Sequence, residues 1–242
     1  MTEFKIKIAG QTAAVAAQFE STGYYCRNYF SDEAPAFFIT VDRDDLDAEQ
    51  TLLHREALEE GLRPRVFPEP FLERSVIQRK LADALLSRDV LLFHGSTVAL
   101  DGAAYLFTAP CGTGKSTHTR LWREVFGQRA VMVNDDKPFL HFTAEGVLAC
   151  GAPWSGKHGL DTNIAVPLRG ICILERGSEN RIAPATGEQK EFLLTQRHRS
   201  EDPETDRLSA ALTERLMARV PVWYMTCTKG PDAPLVSQSA MA

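Results

Sequence analysis

The sequence predicts an α/β P-loop fold with a mixed sheet, preceded by an N-terminal α+β portion. Three observations predict it. Residues 109–117 read Ala-Pro-Cys-Gly-Thr-Gly-Lys-Ser-Thr, between an apolar run at 103–108 and a helical pattern at 117–126. That is the strand, glycine loop and helix order a phosphate-binding loop requires. The dipeptides Asp101-Gly102 and Glu145-Gly146 each separate two short apolar runs and mark antiparallel hairpins, so the sheet is not purely parallel. Buried-strand runs at 130–133, 170–175 and 222–227 alternate with helical patterns at 187–196 and 205–219.

The elements follow in order. Phe4, Ile6 and Ile8 alternate with Lys5 and Lys7, a strand pattern and not a signal peptide. Residues 24–30 and 37–41 read as two more strands, 42–47 as a charged turn and 46–60 as a helix. Pro64, Pro68 and Pro70 interrupt the chain. Leu72, Val76, Ile77, Leu81, Ala84 and Leu85 then give helical spacing over 70–87. Residues 1–88 are therefore expected as an N-terminal α+β portion, a candidate substrate-binding part. Residues 89–228 form the expected P-loop core. It opens with strands at 90–93, 97–100 and 103–108. Gly127 ends the helix after the loop, and strands at 139–142 and 147–150 form the second hairpin. Leu208, Leu212 and Leu216 make one apolar stripe on the helix at 205–219. Residues 229–242 are polar, small and proline-bearing, and are expected as a flexible tail.

Composition narrows the class. The chain has 242 residues and 44% hydrophobic content, enough for a sizeable core in one large or two small domains. Net charge is −5 and no Lys/Arg block occurs, so no nucleic-acid partner is expected. No apolar stretch reaches membrane-spanning length, so no membrane association is expected either. The five cysteines form no Cys-x-x-Cys pair and are odd in number, which argues against a zinc site or disulfide framework and for a reducing cytoplasm. Cys111 lies inside the loop, either as a tolerated small residue or as a thiol activated by the helix N-terminus.

The chemistry-bearing residues cluster around that loop. Gly112 and Gly114 let the backbone of Cys111, Gly112, Thr113 and Gly114 turn its N–H groups around phosphate oxygens, and the helix N-terminus at Ser116 and Thr117 adds partial positive charge. Lys115 reaches the outer phosphates and the Ser116 hydroxyl suits Mg²⁺. Ala109 stands where the usual pattern has glycine, which is tolerable if its φ is negative. Asn134-Asp135-Asp136 follows the strand at 130–133. Paired carboxylates there suit a Mg²⁺–phosphoryl site, one for the metal (Asp135) and one to accept a proton (Asp136). A solvated acidic turn is the alternative. Gly151-Ala152-Pro153-Trp154-Ser155-Gly156-Lys157 is a second glycine-bearing loop; Lys157 reaches a phosphate and Ser155, Gly156 and Asn163 face the site, or the loop is a surface feature anchored by Trp154. Arg197, His198 and Arg199 sit among Glu201, Asp202 and Glu204, a mobile solvated segment or, less favoured, a lid. His94, read alone, is a structural histidine at a strand end.

Phe93-His94-Gly95, the hairpin, the loop Cys111–Ser116 and Val133-Asn134-Asp135-Asp136 together resemble the HPr kinase/phosphorylase family and its stand-alone relatives, over about residues 90–228. The loop is also similar to that of ATP-dependent phosphoenolpyruvate carboxykinase, whose nucleotide core that family shares. The resemblance implies a carboxykinase-like fold, similar to the HPr kinase C-terminal part. It also implies ATP and Mg²⁺ as cofactors, and phosphorylation of serine in a protein or peptide. It adds His94 to Lys115, Ser116, Asp135 and Asp136 as a site residue, supporting Asp136 as proton acceptor. Thr117 replaces the family's usual glutamate, its Arg-Gly-x-Gly loop is not found, and residues 1–88 do not resemble its N-terminal domain. HPr itself and the reverse reaction are therefore not implied. A small-molecule kinase and a non-catalytic nucleotide sensor are the alternatives, and a homo-oligomer is left open.

Overall fold

The computed structural model describes residues 2–59 and 61–242. Met1 and the expected helix end at Glu60 lie outside them. The chain divides into two compact units, the first running to Ala84 and the second from Leu85 to Ala242.

In the first unit β1 (Thr2–Ile8) and β2 (Gln11–Ala17) form an antiparallel hairpin, and helix α1 (Glu20–Cys26) follows. β3 (Phe37–Thr40) pairs parallel with β2, and α2 (Arg43–Glu59) and α3 (Glu69–Leu86) complete the region. The expected strand at 24–30 is wrong: it is the end of α1 and a short 3₁₀ turn at Arg27–Tyr29. Aromatic alternation mimicked a strand, but the buried face is Thr22, Gly23 and Cys26, at helical spacing. Within this unit Glu73 is wholly buried and gathers Thr22 Oγ1 and the backbone N–H groups of Gln18 and Phe19.

The second unit is built on one mixed sheet. In chain order it contains β4 (Val90–Leu92), β5 (Ser96–Leu100), β6 (Ala103–Thr108), α4 (Lys115–Phe126) and β7 (Ala130–Asn134). It continues with β8 (Phe139–Phe142), β9 (Val147–Cys150), β10 (Ala165–Arg176), β11 (Arg181–Pro184) and α5 (Gly187–Glu191). α6 (Pro203–Arg219), β12 (Val222–Cys227) and α7 (Asp232–Met241) end it. The strand order is β4-β8-β9-β10-β6-β5-β7, with β12 pairing β10 and β11 pairing β12. β6, β10 and β12 are mutually parallel, and β5 is antiparallel to both β6 and β7. The C-terminal ends of β6, β7, β10 and β12 therefore point the same way, and the loops that leave them share one edge of the sheet. The Asp101-Gly102 turn has positive φ at both residues (50° and 84°), the hairpin geometry its sequence favours.

Alternation along β6 and β10 builds two cores. Leu106, Ile171 and Ile173 point to one face with Phe93, Val133, Leu212 and Leu216; Phe107, Cys172 and Leu174 point to the other with Trp122, Met225 and Met241. Trp122 of α4 is fully buried, and such a ring is worth about 3–5 kcal/mol against truncation to alanine. Three expectations fail here. Residues 229–242 are not a flexible tail: α7 buries Ala233, Pro234, Ser237 and Met241. Its Ser237 hydroxyl contacts His118 Nε2 at 3.0 Å and accepts from the Trp122 indole at 3.0 Å, both on α4. Leu208 leaves the stripe on α6 and is exposed, because the packed face is Ser209, Leu212, Thr213 and Leu216. The segment at 197–199 is not a solvated mobile loop. Arg197 makes a bidentate pair with Asp206, and the backbone of His198 donates to Leu92 at 2.9 Å.

Candidate active site

The loop after β6 turns at Gly112 (φ 74°) and Gly114 (φ 129°), backbone conformations that side chains with a Cβ rarely adopt. Ala109 is not among the positive-φ residues and is buried, so its methyl is accommodated. α4 starts at Lys115, two residues earlier than the periodicity indicated, so Lys115, Ser116 and Thr117 form its first turn. The Lys115 ammonium folds back onto the Ala109 carbonyl at 3.0 Å. Cys111 is exposed, whereas Cys26, Cys150 and Cys172 are buried.

β7 delivers Asn134, Asp135 and Asp136 to the same edge. Asn134 is fully buried and organises the turn. Its Oδ1 accepts from the backbone N–H groups of Asp136 (2.9 Å) and Lys137 (2.6 Å), and its Nδ2 donates to the Ala152 carbonyl at 2.8 Å. One side chain thus bends the chain after β7 and anchors the second glycine loop. Asp135 is buried and its Oδ1 accepts from the Ser96 hydroxyl at 2.6 Å. Ser96 in turn meets Thr119 Oγ1 at 2.7 Å, tying β5, α4 and the carboxylate together. Asp136 lies beside His94, with Nε2 3.4 Å from Oδ1 and both side chains about one-third exposed (37% and 34%). Burial pushes the Asp136 carboxyl up, but the hydrogen bond from His94 and the charges of Lys137, His94 and Lys115 outweigh it, holding it below the usual range. The contact has a backbone cause: the Gly95 N–H donates to the Asp136 carbonyl at 2.9 Å.

These groups line one cleft. His94, Lys115, Ser116, Asp135 and Asp136 line it, together with Gly112, Gly114 and the exposed Lys157. Cys111 and Thr117 line it too, together with Arg120, Arg123 and His158, which the sequence reading did not single out. Gly156, at φ 69°, passes so close to Asp136 that a Cβ there would sit 3.1 Å from the Asp136 Cβ. Three expected contributors lie elsewhere. Thr113 is on the opposite flank of the loop. Ser155 is buried and donates to Asp161 at 2.7 Å. Asn163 is exposed and not part of the cleft wall. Ser96 and Thr119 carry no sequence signal that points to the site, and the sequence marks Asn134 only as the residue before the paired aspartates, without its role in the turn.

Among the described residues, no three His, Cys, Asp or Glu side chains gather into a metal cage. Mg²⁺ needs none: it takes one or two carboxylates with phosphate oxygens and water. Asp135 fits that requirement, because Ser96 occupies one carboxylate oxygen on the buried side while the residue still lines the cleft. Ser116, one residue after the loop lysine, lines the same wall.

No family model matches the chain, and no curated protein matches it. Among solved structures it is similar to the Hpr(Ser) kinase/phosphatase from Coxiella burnetii, at 12% identity and a TM-score of 0.36, over 61% of this chain and 86% of that one. That similarity assigns no residue here a role.

Proposed function

We propose that this protein is an ATP- and Mg²⁺-dependent phosphotransferase that moves the γ-phosphate to a hydroxyl, a serine of a protein or peptide. The observation that carries the reading is the placing of the His94–Asp136 pair and Asp135 in one cleft with the glycine loop and Lys115. A structural acidic turn has no need of that company. Lys115 and the loop amides hold the β- and γ-phosphates, where charge-assisted contacts are strong. Ser116 and Asp135 would hold Mg²⁺, which when bound draws charge off the phosphates. Asp136, ionised at neutral pH, accepts the hydrogen bond of the attacking hydroxyl and then its proton. A weakly basic carboxylate is sufficient for that, because in a loose phosphoryl-transfer transition state positioning matters more than basicity. His94 fixes the carboxylate's orientation. Lys157, exposed in the cleft lining, reaches toward the phosphates. Within this reading the N-terminal unit is a candidate for acceptor binding, and the cytoplasm is the fitting compartment.

The test is transfer itself. Purified protein with Mg-ATP should release γ-phosphate slowly to water in the absence of acceptor and label serine in a peptide pool. Metal removal by chelator should stop both. Stable binding of ATP with no γ-phosphate loss to any acceptor, water included, would instead favour a nucleotide sensor.

A further inference from the structure

We propose that the base of the nucleotide stacks in a second cleft, on the outer flank of the phosphate loop, so that the ligand is a nucleotide and not a bare polyphosphate. This rests on the phosphate-loop reading above. The second cleft has a volume of about 650 Å³, on the scale of small-molecule sites. It runs from Pro110–Thr113 to the end of β10, Tyr224 of β12, and Gln189 and Phe192 in and just after α5. Cys111 and Gly112 line both clefts, so a molecule whose phosphates lie in the first reaches the second by crossing the loop.

The two clefts differ in chemistry. Among the described residues, the lining of the first holds Lys115, Arg120, Arg123, Lys157 and the two aspartates but no Phe, Tyr or Trp. It suits phosphate and carries no large aromatic ring seated on an apolar bed. The second holds Phe192 and Tyr224, both half-buried and seated on the apolar cluster beneath, which fixes their rings before any ligand arrives. The Tyr224 phenol lies beside the Glu175 carboxylate. Arg176, also in the lining, donates from Nε to the Thr113 carbonyl at 3.1 Å and from Nη2 to the Gly112 carbonyl. A guanidinium pinned at its edge by two carbonyls keeps a planar face for stacking. Glu175 is exposed in the same cleft, and its carboxylate oxygens can accept from an exocyclic amino group such as that of adenine.

Topology points the same way. β10 and β12 lie on one side of β6, and β7, which carries Asp135 and Asp136, lies on the other. With the base over β10 and β12, the carboxylate side of the phosphates stays open to an incoming hydroxyl.

The experiment compares Mg-ATP with inorganic triphosphate and magnesium by calorimetry, in the full chain and in Phe192→Ala and Tyr224→Ala. Base stacking should make ATP bind roughly tenfold tighter or more. Both variants should lose most of that gap while their affinity for triphosphate stays unchanged. Equal affinities for ATP and triphosphate in the unaltered chain would overturn this inference and leave the phosphate site standing. A full gap in folded variants would also overturn it. Failure of both ligands to bind would overturn the phosphate-loop reading and this inference with it. Should Phe192→Ala not fold, Phe192→Trp provides the readout: ATP should quench the added indole and triphosphate should not, and quenching by neither overturns the stacking.

Discussion

The Ser96 hydroxyl donates to Asp135 Oδ1 at 2.6 Å, and Ser96 is fully buried. A carboxylate held this way presents its other oxygen in a fixed direction. Ser96→Ala leaves that buried oxygen without its donor and should cost about 1–3 kcal/mol of stability. It should also weaken the Mg²⁺ dependence of ATP binding by about tenfold, the scale for removing the partner of a metal-holding side chain. Thermal melting and Mg²⁺ titrations at fixed ATP measure the two effects.

The two aspartates should separate. Asp136→Asn is expected to abolish phosphate transfer while Mg-ATP still binds, because a proton acceptor acts only in the reaction. Asp135→Asn should weaken metal-dependent binding as well, since a metal ligand also holds the ground state. Calorimetry and single-turnover kinetics on both variants check this; the opposite pattern would mean the roles are exchanged.

His94→Ala should lower the transfer rate by about 10²-fold or more, the scale for a positioned acid–base group, with little change in ATP affinity. The His94 side chain is about 37% exposed, so the fold should survive. Unchanged turnover in a folded variant would return His94 to a structural role.

His118 predicts a pH dependence of stability. It is buried between Phe107, Trp122 and Ser237, and its Nε2 accepts from the Trp122 indole at 3.2 Å. Burial lowers its pKa from 6.5 to about 4. Between those values the unfolded chain binds more protons than the folded one. The stability of the neutral, buried state is therefore complete above about pH 6.5 and is lost as pH falls toward 4. From pH 7 to pH 5 this residue alone should remove about 2 kcal/mol. Urea denaturation at both values, on the unaltered chain and on His118→Asn, measures it. The variant should show a smaller acid loss by about that amount.

Much of the second unit was legible because its signals are local. Asp101-Gly102 and Glu145-Gly146 dictate hairpins by their own backbone preferences, and a glycine loop between a strand and a helix declares itself. What was not legible depends on contacts distant in sequence. α7 is short, small-residued and carries Pro234, and it is ordered through Ser237 meeting α4 more than a hundred residues away. Ala13, Val15 and Ala17 of β2 carry no strand signature, yet all three are buried against their neighbours. Arg197 read as solvated until Asp206, one helical turn into α6, closed on it. In the site, both aspartates and the loop were visible. Ser96, the buried partner of Asp135, was not, because a serine at a strand start has no distinguishing pattern. The sequence also held no reason to seat His94 beside Asp136; the Gly95-to-Asp136 backbone bond does that.

The roles of His94, Lys115, Ser116, Asp135 and Asp136 all presuppose that the loop from Cys111 to Ser116 grips nucleotide phosphates. The most direct test is calorimetric titration of Mg-ATP into the unaltered protein and into Lys115→Ala, with folding of both verified by circular dichroism. Removing the one loop cation from a site of charge-assisted contacts should weaken binding by about tenfold or more. Equal affinity in the two proteins would contradict the account.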